Sequence, residues 1–192
     1  LGHFISSSYY MEELPDWAQN FNAENRAIAY LDQSWSTYNP IETYIESTAD
    51  DNKYEGTFRG KDKAVFPYDL KSLKKFNGNL DLIKGTPFGN SITTDFALAA
   101  ISGENLGKGS YTDFISISYS STDYIGHQFG VDSKEVQDAY VRLDREIEKL
   151  LNHLDNEVGK GKYTFFLTAD HAAVRVPNYL KDNNIPAGYV SN

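Results

Sequence analysis

Two acid–histidine pairs are the residues here whose types and spacing could do chemistry. Asp123 and His127 lie four apart in SSTDYIGHQFG, and Asp170 and His171 are adjacent in FFLTADHAA. Carboxylate oxygen and imidazole nitrogen are the donors a divalent metal takes when it must activate a nucleophile or polarise a phosphoryl oxygen, with a position left open for substrate. Two metals held close together can clamp the attacking and leaving oxygens of an in-line displacement. Taken singly, each pair also has a structural reading. Asp123 can cap the turn after a strand with His127 a hydrogen-bonded loop histidine, and Asp170 can be a helix N-cap with His171 in the first turn. Two such pairs at equivalent positions of one fold weigh against that reading.

The elements that must position these pairs follow from the pattern around them. TDFISISYS, residues 112–120, reads as a strand that runs into Asp123, and YTFFLT, 163–168, as a second that runs into Asp170. The second is a continuous apolar run, as in strands buried on both faces of a parallel sheet. Between them, 132–158 has the clearest helical period, with Asp132 and Glu135 fitting a capping box and Tyr140, Leu143, Ile147, Leu151, Leu154 and Val158 forming an apolar stripe. Strand, helix, strand is a right-handed βαβ unit. Open parallel sheets bind ligands beyond the carboxyl ends of their strands, so both pairs should face one crevice.

The remainder reads as support. Residues 2–10 suggest a short strand, and Pro15-Asp16 a helix start with Trp17 and Phe21 on one face. In TPFGN the pair Gly89-Asn90 marks a turn. A Ser or Thr near 91–94 then caps a helix whose buried stripe is Phe96, Ala97, Ala100 and Ile101, ending near Gly107. An ordinary capped helix is favoured there over an anion-binding N-terminus. The chain divides into an opening segment, 1–39, an irregular aromatic elaboration resembling a lid, 40–85, and a βαβ core segment, 86–192. Trp17, Trp35, Tyr44 and Tyr54 either line a substrate lid or, as aromatics more often do, pack.

Composition sets limits on partners. The chain has 192 residues, 40% of them apolar, enough to build a core. Its 27 acidic and 18 basic residues leave a net charge of −9, which argues against a nucleic-acid partner. An acidic protein can still handle an anionic substrate when bound cations reverse the local field. There are no cysteines, which excludes disulfides and thiolate–metal sites. No stretch is long and apolar enough to span a bilayer, and the oligomeric state is not encoded in any pattern.

The wording of the two motifs is itself informative. SSTDYIGHQFG and FFLTADHAA resemble the metal-binding segments of the alkaline phosphatase superfamily, in particular its type I phosphodiesterase/nucleotide pyrophosphatase branch and the bacterial alkaline phosphatases of the PafA type. GHFISSSYYMEELPDWAQNFN, FPYDL, TPFGN and DAYVRLDREIEKLLNHLD share the resemblance, so it covers nearly the whole chain. It implies an α/β fold, a parallel-sheet sandwich with helices on both faces that is incomplete in this chain. It also implies two Zn2+, one held by Asp123 and His127 and the other by Asp170 and His171, a small phosphate-ester substrate, and a bacterial periplasmic or secreted location. The family's nucleophile, a threonine, and its phosphate-holding Lys and Arg would lie upstream of Leu1, and a third histidine ligand beyond Asn192. Ala172 departs from the glycine expected after the Asp170-His171 pair, which puts the local loop conformation in doubt but not the ligands.

Ligand counting agrees. Two catalytic zincs need roughly three protein ligands each, and the motifs offer four. His153 reads as solvated and His3 as part of the opening strand, so neither completes the set. The sequence therefore reads as part of a zinc-dependent phosphatase acting on phosphate monoesters and inactive by itself. Phosphodiester or nucleotide pyrophosphate cleavage is the alternative, and an aromatic-rich, non-catalytic binding module is the alternative of a different class.

Overall fold

Helices carry the architecture. The computed structural model describes residues 2–190. In chain order they form α1 (Asp16–Ala23), α2 (Arg26–Leu31), β1 (Ser34–Trp35), β2 (Tyr68–Asp69), α3 (Leu70–Leu73), α4 (Phe88–Gly103), α5 (Ser121–Phe129), α6 (Lys134–Leu154) and α7 (Pro177–Asp182). β1 and β2 pair antiparallel, with Trp35 opposite Tyr68, and this ribbon is the only sheet among the described residues.

The main core forms where this ribbon meets α5 and α6. Trp35, Tyr68 and Phe129 are fully buried, and Phe58 is nearly so. Their rings meet mostly edge to face, with centroids 5.2–5.9 Å apart, the arrangement the aromatic quadrupole favours. The stretch 40–85 supplies much of this core, through Phe58, Ala64, Tyr68, Leu70, Leu73 and Leu82. Of the aromatics that could have lined a lid, Trp35 and Tyr44 are buried, whereas Tyr54 is half-buried against Tyr179 on α7.

α4 packs against α1, α5 and α6. Asp95 on α4 ties three elements: Arg26 donates to it at 2.8 Å, Tyr30 at 2.8 Å and Lys149 of α6 at 2.6 Å. α1 begins after Pro15 as anticipated, and Trp17 and Phe21 both pack on Phe96.

Several local expectations are corrected. α6 is capped by Ser133, whose hydroxyl accepts from the Val136 amide at 3.2 Å, and not by an Asp132–Glu135 box. Glu135 is instead buried and bonded to Tyr68, because the helix start is pressed against the core. Tyr140 is exposed, and the buried apolar residues of α6 are Val136, Ala139 and Leu150, with Leu143 and Ile147 half-buried between them. Gly89 and Asn90 do not form a turn: α4 already includes them, with Pro87 before its first residue. Residues 2–10 are not a strand, and His3 lies 3.3 Å from the Asn25 side chain. His153 contacts the Ser102 hydroxyl at 3.1 Å and is half-buried.

The two segments read as parallel strands also differ. Residues 112–119 and 164–169 run without regular hydrogen bonding among the described residues. Phe114 is 78% exposed, Phe166 69% and Leu167 64%. A strand is stable only when its amide and carbonyl groups have a partner strand, and these segments do not neighbour the β1–β2 ribbon. The two segments flank α5 and α6, but neither is a strand and no parallel pairing is made among the described residues.

Gly89 is where the two helices that frame the candidate site come together. A Cβ there would run into the Ser121 side chain and come within 2.8 Å of the Ile83 carbonyl. Gly89→Ala is expected to cost about 1–3 kcal/mol by overpacking. That should lower Tm by roughly 2–4 °C per kcal/mol in a domain of this size, readable by thermal melting. An unchanged Tm would show that the α4–α5 approach is slack.

Candidate metal centre

α5 presents Asp123 in its first turn and His127 in its last, one helical repeat apart and so on one face. His127 Nε2 lies 3.4 Å from Asp123 Oδ2. The second motif approaches from an irregular segment: His171 Nε2 is 3.8 Å from Asp123 Oδ1 and 3.8 Å from Asp170 Oδ2. All four predicted residues therefore meet in one patch, with Asp123 between the two imidazoles. Neither capping alternative describes them: Asp123 is inside a helix, and no helix follows Asp170 until Pro177.

The donor types fit a zinc-like cation, and so does the separation of one of the two pairs. Two ligands on one tetrahedral zinc sit roughly 3.4 Å apart, given ligand bonds near 2.0–2.1 Å. The Asp123–His127 separation matches that, while the His171 contacts are slightly wider. The patch is nevertheless open. The side chains are 47% exposed for Asp123, 77% for His127, 92% for Asp170 and 57% for His171. Among the described residues no group of three or more His, Cys, Asp or Glu side chains is arranged to hold a metal ion. The residues thus fit as ligand pairs, and they do not form a closed coordination sphere on their own.

What holds the patch in place was less visible in the sequence. The buried Asn90 amide of α4 donates to Thr122 Oγ1 at 3.0 Å, fixing the start of α5 next to Asp123. Gln128, adjacent to His127, donates to the Thr57 carbonyl at 2.8 Å. Arg175 reaches from the segment after His171 to both oxygens of Asp132, at 2.7 and 3.2 Å. This two-point ion pair joins the second motif to the turn between α5 and α6. Asn90 sits in the quoted TPFGN, and Arg175 in HAAVRVP, but nothing in the linear order names their partners. The first turn of α4, with Phe88, Gly89 and Asn90 buried, is packed inside the fold, and no Ser or Thr side chain caps it.

Comparison with known proteins identifies the family. The family model for type I phosphodiesterase / nucleotide pyrophosphatase matches residues 8–188. Alkaline phosphatase PafA of Elizabethkingia meningoseptica is 42% identical over 189 residues, covering 98% of this chain and 34% of that protein. Alkaline phosphatase PhoV of Synechococcus elongatus is 49% identical over 187 residues, 97% of this chain and 34% of its own length. A protein of Myroides odoratus named as a calcium-transporting ATPase is 51% identical over 190 residues, with 98% and 34% covered. The crystal structure of wild-type PafA superposes with a TM-score of 0.92 at 42% identity, covering 98% of this chain and 36% of that one. The chain thus has the α/β alkaline-phosphatase fold in part, and it spans about a third of the length of these curated relatives.

Proposed function

The chain belongs to the type I phosphodiesterase / nucleotide pyrophosphatase family, and from that premise we propose that it forms the metal-binding part of a zinc-dependent hydrolase of phosphate monoesters. Asp123 and His127 would hold one zinc, and Asp170 and His171 the other. The observation that carries this reading is the position of Asp123, 3.4 Å from one imidazole and 3.8 Å from the other. Asp123 is the member of the four that lies near both imidazoles. Bound there, the metal ions would supply electrostatic stabilisation of the phosphoryl oxygens. This chain's own part is to orient the donors: α5 sets the Asp123–His127 spacing, and the Arg175–Asp132 ion pair anchors the second motif.

In this reading the nucleophile is a threonine outside these 192 residues; attack of its oxygen on phosphorus breaks the ester P–O bond, releases the alcohol and gives a phosphothreonine, which water then hydrolyses to phosphate and free threonine. Monoesters are favoured because two of the relatives are named alkaline phosphatases. The family model's description favours diesters or nucleotide pyrophosphates as the second reading. The location proposed for the working enzyme is periplasmic or secreted. No helix among the described residues is long and apolar enough to cross a membrane.

Zinc uptake by the chain tests the proposal. Equilibrium dialysis followed by metal analysis should find zinc on the wild type and about tenfold or more weaker retention in His127→Ala and His171→Ala, since each removes one ligand from a pair. The isolated chain is expected to give no turnover of p-nitrophenyl phosphate with or without added zinc. Wild-type zinc retention by both variants would sink the assignment.

A further inference from the structure

Beside the start of α6 the half-buried Asp50 and Glu55 and the buried Glu135 each turn one carboxyl oxygen away from solvent, and the proposed hydrolysis uses none of them. Asp50 and Glu55 come from the loop 46–58, and Glu135 from the first turn of α6, where it is 0% exposed. One oxygen of each has a donor. Tyr68 hydroxyl donates to Glu135 Oε1, the Phe66 amide to Asp50 Oδ2 at 3.2 Å, and the Thr48 hydroxyl to Glu55 Oε1 at 3.3 Å. The other oxygens, Asp50 Oδ1, Glu55 Oε2 and Glu135 Oε2, are buried without a partner, as is Thr57 Oγ1.

Ionised carboxylates in such surroundings are strongly disfavoured, and either a cation or protons must relieve them. Among the described residues no three acidic or histidine side chains are arranged to hold a metal ion. The facing ammonium groups, Lys134 of α6 and Lys61 from the loop before β2, act on Asp50, and Lys134 already donates to the Tyr44 carbonyl at 2.7 Å. Protons remain. Burial, with the Glu135 and Asp50 charges added, pushes Glu55 up to about 8. Burial pushes Glu135 up to about 7, opposed by the Tyr68 hydrogen bond and reinforced by Asp50 and Asp138. Burial also raises Asp50; the Phe66 amide and the two lysines oppose this, and Asp51 adds to it.

The loop these groups hold is tied to the segments that carry the candidate metal ligands. The Thr48 amide donates to the Asp132 carbonyl at 2.8 Å, and the single Thr48 hydroxyl proton is shared between that carbonyl, at 3.1 Å, and Glu55 Oε1. The Thr57 carbonyl accepts from Gln128. Lys53 and Tyr54 both donate to Asp182 on α7, at 2.5 and 2.8 Å.

We propose that the loop 46–58 is a proton-held clasp: protons on the Asp50–Glu55–Glu135 cluster keep it closed over the α5–α6 turn, and their loss as pH rises loosens it. The clasp stands independently of whether the four donors take zinc. The direction follows from linkage. A carboxyl whose pKa is higher in the closed state favours closure fully below its open-state value, near 4.5 for Glu55, and that advantage is lost as pH rises through its closed-state value, about 8. Each such proton changes the closed-to-open ratio by up to about tenfold per pH unit inside that window.

Amide hydrogen exchange of the whole chain, with intrinsic rates divided out, reads this directly. Protection of the Thr48 and Phe66 amides should fall by up to about 100-fold between pH 6 and pH 8 and level off above, while the Ile101 amide in α4 stays protected. Glu55→Gln, which cannot ionise, should flatten the fall, and Glu135→Gln provides the same test if the first variant fails to fold. Constant loop protection from pH 6 to 9 would overturn the clasp. So would an unaltered fall in a folded variant, or a parallel loss at Ile101, which would signal global unfolding. Restoration of protection at pH 9 by 1 mM calcium would show a cation site in place of a proton-held one, and would also overturn it.

Discussion

Asp138→Ala is expected to destabilise the chain by about 3–5 kcal/mol, the range for removing one partner of a buried ion pair. Asp138 is completely buried, and both its oxygens are saturated. Oδ1 accepts from the Tyr38 amide and the Tyr44 hydroxyl, each at 2.6 Å. Oδ2 accepts from the Trp35 indole and the Arg142 guanidinium, each at 2.7 Å. One carboxylate thus joins α6 to the ribbon and to the loop after it. Its loss leaves four donors without their acceptor, one of them a charge. Arg142→Ala should cost less, because that side chain is 21% exposed and its removal leaves the neutral donors still bonded to Asp138. Urea unfolding of both variants checks the order. A loss below about 1 kcal/mol for Asp138→Ala would mean that water replaces the carboxylate.

Asp123→Ala is expected to lower phosphate-ester hydrolysis by at least about 100-fold in a longer protein of this family that carries this segment. The estimate takes several kcal/mol of transition-state stabilisation from metal ions, at tenfold per 1.36 kcal/mol. Asp123 is the member of the patch within reach of both histidines, so its removal should disturb both proposed metal positions, whereas His127→Ala removes a donor from one. The fold should tolerate the change, since the Asp123 side chain is 47% exposed. Activity on p-nitrophenyl phosphate, metal content and Tm should be measured together. Full activity with an unchanged Tm would remove Asp123 from the mechanism. A fall in Tm of many degrees would assign it to structure.

Much of the candidate site could be read in the linear chain because its information is local. Asp123 and His127 share a helix face through their spacing alone, and Asp170 and His171 are neighbours in the chain. The family resemblance was likewise carried by short contiguous wording, and the family match over residues 8–188 agrees with it. Helix periodicity located α6 and α1, since a 3.6-residue repeat needs no knowledge of the partner surface.

The errors arose where a partner distant in sequence decides the outcome. Glu135 looked like a capping residue because E three positions after D satisfies a local rule, yet Tyr68, 67 positions away, takes its carboxylate into the core. The stretch 40–85 follows no helical or strand period, and what its sequence did not show is that Tyr44, Phe58 and Tyr68 are buried. YTFFLT carries the composition of a buried strand, but composition supplies no partner, and these residues remain unpaired here.

The sequence by itself determined which side chains are candidate metal ligands, their pairing along the chain and the family the chain resembles. Tertiary structure alone decided that the two pairs share one patch through Asp123, that Arg175 and Asn90 hold them there, and that three acids gather beside α6. Residue type and short spacing are properties of the chain. Convergence and desolvation depend on contacts between residues tens of positions apart, which exist only once the helices have packed.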